Sequence, residues 1–429
     1  MTTLQEARRR LTAVRRPRLG AGATAVDRTG AAERAEGAGP RSYFLIGGAS
    51  VLLLVIGVVM VLSATSITSI RANDGNPFAE FLSQGKFVLI GLPLAVIASR
   101  ISVKWYRWLA VPALILSFAL QTLIFTPLGR GAGGNTNWVL IPGLNQTIQP
   151  SEFLKIGLAL FLGLFLATYS HRLRELRYLL VPTLVSGIGL ALVLGGHDLG
   201  TALVVVAMVV GAFWIAGVPG WFFAVGGLVG LVAAAALVVA SDSRVTRILD
   251  FIGAGGADPT GAGYQSMHGM YGLGTGGLTG VGLGASREKW AYLPAAHNDF
   301  IFAILGEELG MLGTLLVLAL FGILAVGMLR LIRRHPDPFV KVTTAAILCW
   351  IIGQALINIG VVVGLLPVIG VPLPLVSAGG SAMVSTLIAL GILLAFARDE
   401  PGARTAPGVT MAAARRSLAV VGARMRRRG

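Results

Sequence analysis

Long apolar segments recur along this chain and restrict its fold more than any other feature. Ten of them lie between residues 43 and 397, and a bilayer core of roughly 30 Å needs about 20 apolar residues per helix. The chain of 429 residues is 55% hydrophobic and 13% charged, unlike ordinary globular domains. We therefore predict an all-α polytopic membrane protein with about ten transmembrane helices and one long extracytoplasmic loop. The predicted segments are 43–64, 85–99, 105–125, 153–169, 178–195, 199–218, 221–240, 300–329, 339–365 and 375–397.

The basic residues predict the orientation of these helices. Most of the 35 Lys and Arg residues fall before residue 43, after residue 397, or in the even-numbered connections between apolar segments. Because cytoplasmic segments carry the excess of Lys and Arg, both termini are expected in the cytoplasm. The domain organisation is then a disordered Arg-rich tail over 1–42, a membrane domain over 43–397 and a basic tail over 398–429. The net charge of +16 reflects this topology and attraction to anionic lipid, so no nucleic-acid partner is expected.

Two connections are too long and too polar to be simple links. The first, 126–155, is rich in Gly and Asn and contains Trp138. The second, 241–298, has 58 residues, and loops of that length in compact proteins are usually functional or disordered. Its aromatic, Leu and Met content argues against disorder. A Gly-rich surface loop that packs on the helices remains the alternative to a functional loop.

Three carboxylates stand where the eighth apolar segment begins, in "AAHNDFIFAILGEELG". Asp299 suits a helix N-cap, and a functional role is the alternative. Glu307 and Glu308 follow eight and nine residues later, about 12–14 Å further along a continuous helix. A cap cannot explain them, so they must face a polar interior or pair with Arg or Lys. Ionisable groups at membrane depth are functional candidates by default.

Other polar residues gather at the same predicted outer side. Glu152 and Lys155 are three residues apart, as in an intrahelical ion pair or a site. Asp198 lies with His197 in the short turn "GGHDLGT", either as a cap or as a site residue. Two further groups of residues can be interpreted either structurally or functionally. Arg244 and Arg247 suit membrane anchoring or an anion such as phosphate, and Ser377, Gly379, Gly380 and Ser381 suit tight helix packing or a broken backbone that receives an anionic or hydroxyl-rich group.

Several motifs in order resemble one family. They are "QPSEFLK", "HDLGTALVV", "GVGLGASREKWAYLPAAHNDFIFAILGEELGMLG" and "NIGVVVGLLPVIGVPLPLVSAGGS", and they are similar to those of the SEDS proteins (shape, elongation, division and sporulation). The stretch "SREKWAYLPAAHNDFIF" looks more like the FtsW (division) type than the RodA type. The resemblance implies a peptidoglycan glycosyltransferase that polymerises lipid II into β-1,4-linked glycan at the outer face of the bacterial cytoplasmic membrane, at the division septum.

The resemblance also implies site residues, cofactors and partners. Asp299 matches the family's essential loop aspartate and is the expected general base. A divalent cation, Mg²⁺ or Mn²⁺, is expected without assigned ligands, and no organic cofactor is expected. The implied partners are a class B penicillin-binding transpeptidase of the FtsI type and other divisome proteins. With the two arginines and the residues around Gly379, the expected substrate-binding set is Glu152, Lys155, Asp198, Arg244, Arg247, Gln265, His297, Glu307, Glu308, Ser377, Gly379, Gly380 and Ser381.

Four positions depart from the family pattern. His197 stands where members commonly have proline, Asn137 where they have a basic residue, Ala295 where they have a glutamate, and Ala378 where they have a tyrosine. These departures bear on contacts around the site and leave Asp299 unchanged. Two alternative functions remain open on the sequence alone: a lipid II flippase, for which polar groups near the bilayer midplane are expected, and a non-catalytic divisome scaffold.

Overall fold

The computed structural model describes residues 41–132, 135–143, 146–239, 262–290 and 297–401, together with residues 245, 246, 249 and 251. The predicted terminal tails therefore lie outside the described residues, apart from 41–42 and 398–401. Arg244 and Arg247, two of the predicted substrate-binding residues, also lie outside them. Ala295, one of the four departures from the family pattern, falls in the gap before His297.

The described chain is a bundle of eleven helices with one small sheet. The helices are α1 Arg41–Ala72, α2 Ala79–Arg100, α3 Val103–Thr122, α4 Pro150–Thr168, α5 Leu176–Gly195, α6 Leu199–Ala216, α7 Gly220–Val239, α8 Ala262–Gly276, α9 Ile301–Arg334, α10 Pro338–Val362 and α11 Gly380–Arg398. Within the described ranges, nine of them are long and apolar enough to cross a membrane, and Gly220–Ala236 of α7 is a shorter apolar stretch. The predicted class of all-α multi-pass membrane protein is confirmed, whereas the predicted count of ten spans is not.

Small residues let the helices approach closely. Gly391 of α11 packs against Ala95 and Ala98 of α2, and Gly163 of α4 packs against Thr343 of α10. Since lipid supplies no hydrophobic driving force between helices, van der Waals packing of such small residues holds a membrane bundle together. Cys349 of α10 lies against Gly211 of α6.

A three-stranded antiparallel sheet fills the first long connection, where we predicted only a polar loop. Its strands are β1 Gly129–Ala132, β2 Asn135–Ile141 and β3 Gln146–Ile148, in the order β1-β2-β3. The amide of Thr136 donates to the carbonyl of Gly196, in the turn between α5 and α6, over 3.0 Å. The sheet is thereby joined to the end of the bundle at which α4 and α6 begin, which we call the polar end.

The second long connection contains helix α8, which the sequence analysis did not predict. Gly276 of α8 packs against the backbone of Gly306 in α9, and Gly269 lies against the ring of Phe300. These glycines allow the two helices to pack closely. The loop is therefore partly helical and packed on the bundle.

Helix α9 contains the apolar segment predicted over 300–329 but is broken at Gly310, which the sequence analysis did not predict. Gly310 has φ 67° and ψ −165°, a region open essentially only to glycine. Residues 277–282, which we call the crossing segment, pass over the break. Val281 and Gly282 donate amide hydrogen bonds to the carbonyls of Glu307 and Glu308, and Met311 and Leu312 donate to the carbonyls of Gly277 and Leu278, over 2.9–3.2 Å. The backbone groups freed by the break are thus satisfied within the protein, as a membrane environment requires.

We expect the substitution G310A to destabilise the protein. A Cβ atom at this position would collide with the backbone of Leu278 and Gly280. The backbone conformation alone costs a residue other than glycine about 1–3 kcal/mol. Thermal unfolding in detergent should show a lower midpoint for G310A. The matched control is G322A, because nothing lies within 4 Å of a Cβ at Gly322 in the same helix. Equal unfolding midpoints for G310A and G322A would show that close packing of the crossing segment at Gly310 does not stabilise the protein.

Candidate active site

A polar cavity of about 360 Å³ opens at the polar end of the bundle. Its walls come from β2, the first turn of α4, the α5–α6 turn, α8, the residues before α9, and the connection between α10 and α11. The polar side chains that line it are Asn135, Asn137, Trp138, Gln149, Glu152, His197, Asp198, Thr201, Gln265, Asn298, Asp299 and Gln354. Five predicted site residues, Glu152, Asp198, Gln265, Asp299 and Gly379, are therefore brought together around one space.

Asp299 sits in a rigidly held turn immediately before α9. The side chain of Asn358 donates to the carbonyl of Asp299 over 2.7 Å, and the hydroxyl of Ser377 donates to the carbonyl of Asn298 over 2.6 Å. The amide of Ala378 donates to the carbonyl of His297 over 3.0 Å. The N-cap of α9 is Phe300, with no side-chain cap, so the capping alternative for Asp299 is wrong.

The carboxylate of Asp299 is electrostatically unusual. Burial, and to a lesser extent the negative charge of Asp198, raise the pKa of Asp299 to about 6. Within the described part of the chain, no side chain or amide donates a hydrogen bond to this carboxylate. A carboxylate that is unpaired, faces a cavity and has a pKa near neutrality can accept a proton from a bound hydroxyl group.

Asp198 both caps α6 and lines the cavity, so the two interpretations of this residue coexist. One oxygen accepts from the amide of Thr201 over 2.9 Å, and the other accepts from the Thr201 hydroxyl over 2.7 Å and from the side chain of Gln149 over 2.9 Å. Burial raises the pKa of Asp198, while the bonds from Thr201 act in the opposite direction. Gln149, which the sequence analysis did not select, therefore helps to hold the acidic wall in place.

Glu152 and Lys155 form the predicted intrahelical ion pair, at 2.8 Å, and both side chains are buried. Glu152 also accepts from Ser385 over 2.7 Å, while Lys155 donates to Gln354 over 3.1 Å and lies 4.5 Å from the ring centre of Trp350. Only Glu152 of the pair reaches the cavity wall. Lys155 lies behind it and neutralises a charge that would otherwise be buried alone.

The residues around Gly379 form the wall between the cavity and a second space. Ser377 and Ser381 do not line the cavity: the Ser377 hydroxyl accepts from the amide of Leu373 over 2.8 Å, and that of Ser381 accepts from the amide of Gln149 over 3.1 Å. The second space is an apolar groove of about 320 Å³ between α1, α2 and α11. Gly380 and Ser377 line this groove, and Ala378 and Gly379 line both spaces.

Glu307 and Glu308 lie away from the cavity, so the structure does not place them with the other predicted substrate-binding residues. Glu308 pairs with Lys289 at 3.1 Å, and Ser63 of α1 donates to it over 2.7 Å. Glu307 accepts from the Ser286 hydroxyl and from the amide of Arg287 over 2.9 Å. These bonds join residues 286–289 to α1 and α9. The requirement that both carboxylates find a partner is confirmed, and the partners are protein groups.

His297 is partly buried and does not line the cavity with its neighbours Asn298 and Asp299. Burial lowers the pKa of His297, and the charge of Glu80 opposes this effect. Its visible contribution is the carbonyl that accepts from Ala378. The cavity residues that the sequence analysis did not select as site residues include Asn135, Asn137, Gln149, His197 and Gln354. Uncharged amides carry no positional signal in a single sequence.

The fold and the site together define the class of this molecule. It is a multi-pass helical membrane protein with a carboxylate-rich cavity at one end of its bundle. The family model of the FtsW, RodA and SpoVE proteins, described as "Cell cycle protein", matches residues 44–401. The chain therefore belongs to this family, the SEDS family of the sequence analysis.

Named relatives support the FtsW type within the family. The chain is 38% identical over 364 residues to the "Probable peptidoglycan glycosyltransferase FtsW" of Mycobacterium tuberculosis, covering 84% of this chain and 69% of that protein. It is 41% identical over 368 residues to the protein of the same name from Halorhodospira halophila, covering 81% and 89%. Stage V sporulation protein E of Bacillus subtilis is 34% identical over 353 residues, covering 81% and 95%.

Solved structures confirm the fold. Crystalline Thermus thermophilus rod shape determining protein RodA superposes with a TM-score of 0.61 at 27% identity, covering 83% of this chain and 97% of that one. A chain from the structure described as "Structural coordination of polymerization and crosslinking by a peptidoglycan synthase complex" superposes with a TM-score of 0.65 at 27% identity, covering 82% and 97%.

We expect the buried pair Lys289–Glu308 to show strong energetic coupling. Removing one partner leaves an uncompensated buried charge, which costs about 3–5 kcal/mol, so K289M and E308Q should each destabilise the protein. The double variant K289M/E308Q should be less destabilised than the sum of the two, as measured by unfolding in detergent.

The control cycle uses the exposed pair Glu175–Arg177, with the variants E175Q, R177M and E175Q/R177M. Exposed pairs contribute at most about 1 kcal/mol, so this cycle should be additive. Additivity at Lys289 and Glu308 as well would show that their pairing does not hold the loop.

Proposed function

We propose that this protein, a peptidoglycan glycosyltransferase of the FtsW type, polymerises lipid II with Asp299 as the general base. The observation that carries the proposal is the position of Asp299: its carboxylate faces a polar cavity, has a pKa of about 6 and makes no hydrogen bond to the described residues. A carboxylate in that state is available for an incoming hydroxyl group. The product would be a β-1,4-linked glycan strand.

The chemistry follows from this placement. The acceptor sugar hydroxyl loses its proton to Asp299 as its oxygen attacks the anomeric carbon of the donor, and the bond from that carbon to the lipid diphosphate breaks. Attack from the face opposite the leaving group converts an α-linked donor into a β-linked product, so no covalent intermediate is needed. A base whose pKa lies close to the operating pH is effective in such a transfer.

The diphosphate leaving group requires positive charge that the described cavity walls do not supply as Lys or Arg. The ionisable side chains among the described lining residues are three carboxylates and one histidine. We propose that Mg²⁺ or Mn²⁺ neutralises the diphosphate, as metal ions do in phosphoryl sites. No three acidic, His or Cys side chains in the described ranges are placed to hold a metal ion, so the cation would enter with the diphosphate. Arg244 and Arg247 are further candidates for this charge.

An amphipathic substrate fits the two adjoining spaces. The polar cavity would receive the saccharide, and the apolar groove between α1, α2 and α11, whose charged lining residue is Lys86, would receive the first part of the lipid chain. Ser377, Gly379, Gly380 and Ser381 would then shape the passage between the two, Gln265 would contact the saccharide, and Lys155 and His297 would act through their neighbours.

The membrane orientation and partners form the rest of the proposal. The distribution of Lys and Arg supports cytoplasmic termini, with the polar end at the outer face of the membrane. The likeness to a chain of a complex that coordinates polymerisation with crosslinking supports a class B penicillin-binding transpeptidase as partner. Similarity to FtsW-named proteins supports action at the division septum with other divisome proteins.

The variant D299A is expected to abolish glycan synthesis, because it removes the proton acceptor. Purified protein with its transpeptidase partner, fluorescent lipid II and Mg²⁺ or Mn²⁺ should give glycan ladders on gels, and a chelator should suppress them. Glycan ladders from D299A that equal those from the wild-type protein would refute the role of Asp299. Lipid II scrambling in vesicles by a protein that makes no ladders would indicate a flippase, and the absence of both activities would indicate a scaffold.

The pH dependence of polymerisation should report the raised pKa of Asp299. The base works only when deprotonated, so kcat/KM should fall as the pH falls through about 6, whereas an ordinary aspartate would stay active to about pH 4. The charge of Asp198 contributes to the raised pKa, so D198N should move this acidic limb to lower pH. Asparagine can still cap α6, and E175Q, at an exposed distant carboxylate, is the control. An unmoved limb in D198N would contradict the coupling.

A further inference from the structure

His197 occupies an unusual position at the edge of the polar cavity. It lies in the turn between α5 and α6, with an exposed side chain and a φ of 64°. A positive φ is uncommon for residues other than glycine and is tolerated best by Asn, Asp and His. Such backbone conformations tend to occur where a side chain serves a site. The turn thus holds an imidazole beside the cavity at some energetic cost.

No protein contact explains this imidazole. Within the part of the chain that the structure describes, the ring of His197 makes no hydrogen bond, ion pair or ring contact. The neighbouring Asp198 caps α6, so the helix does not need His197 for its start. The role of the side chain is therefore to be sought in the cavity that it lines.

The charges in the cavity indicate which part of a ligand this ring would contact. Glu152, Asp198 and Asp299 are the other ionisable groups of the described lining, and none of them offers a positive charge or an N–H donor to an anion. His197 differs from them because its imidazole carries no negative charge and a ring N–H can donate to a phosphate oxygen. Sugar hydroxyls, by contrast, find donors and acceptors throughout the carboxylate and amide walls.

The adjacent wall of the cavity is formed by β2. Asn135 and Asn137 share one face of this strand, by the two-residue period of a strand. The carbonyl oxygen of the Asn137 side chain is buried and has no hydrogen-bond partner within the described residues. A Cβ atom at Gly196 would lie 3.2 Å from that oxygen, so position 137 adjoins the turn that carries His197.

We propose that His197 binds the diphosphate of the lipid-linked substrate and donates a ring N–H hydrogen bond to it from the α5–α6 turn. This inference rests on the proposed function, since it takes its ligand from that reaction. His197 touches the substrate and is a binding residue, whereas Asp299 remains the base.

The test measures binding without turnover. Undecaprenyl diphosphate, which lacks the saccharide, is titrated into the full-length protein carrying D299N, and its Kd is compared with that of D299N/H197N. Asparagine tolerates the positive φ but lacks the imidazole ring. We expect H197N to raise the Kd about tenfold, equivalent to about 1.4 kcal/mol. The control H171N changes an exposed histidine after α4, at the opposite end of that helix from the cavity, and should leave the Kd unchanged.

A second comparison tests the link between the two positions. Adding N137R to H197N places a guanidinium donor in the same part of the wall, so N137R/H197N should recover most of the lost affinity for undecaprenyl diphosphate. An unchanged Kd in H197N, or a loss that N137R leaves uncorrected, would overturn the proposal. A raised KM for lipid II with an unchanged Kd for undecaprenyl diphosphate would also overturn it, in favour of a saccharide contact.

The outcome is separable from that of the proposed function. The proposed function fails if the wild-type protein with its partner makes no glycan from lipid II. The binding assay uses inactive protein, so a change in Kd caused by H197N would still establish the diphosphate contact in that case. Conversely, normal polymerisation with an unaltered Kd would leave the function intact and remove His197 from the site.

Discussion

The structure depends on one constraint: within a bilayer, every backbone group and every charge must find its partner inside the protein. Breaking α9 at Gly310 exposes carbonyls and amides, and residues 277–282 satisfy them by crossing the break. The same break accommodates Glu307 and Glu308, because the loop brings Ser286, Lys289 and backbone amides to them. The long connection before α9 is therefore a structural part of the membrane domain, and it also carries Gln265 to the cavity.

This constraint explains why charge near the membrane has two different meanings here. Glu152, Glu307 and Glu308 are each paired or multiply hydrogen-bonded, so their charges hold elements together. Asp299 is held through its own backbone carbonyl and those of the two preceding residues, and its carboxylate is left unpaired among the described residues. Hydrogen bonds thus fix the backbone position of Asp299 without engaging its carboxylate, which leaves the carboxylate available for chemistry.

The sequence was sufficient for the class of fold and for much of the site, for identifiable reasons. Apolar length identified the membrane helices, and carboxylates in lipid identified Asp299 and its neighbours as exceptional. The break at Gly310 could not be predicted, because a single glycine in an apolar segment is common and its meaning depends on a segment thirty residues away. The partners of Glu307 and Glu308 could not be predicted for a related reason, since Ser63 comes from α1 and Ser286 and Lys289 come from the connection before α9. Asn137 and Gln149 became visible only when β2 and the start of α4 were placed against the α5–α6 turn.

The wall shared by the polar cavity and the apolar groove consists of Ala378 and Gly379. The side chains of these two residues are one methyl group and one hydrogen atom, so little more than backbone separates the two spaces there. In an amphipathic molecule that reaches into both spaces, the group that joins the polar and the apolar part would lie at these two residues. The small size of these two side chains thus leaves room for a bulky junction between the two halves of such a molecule.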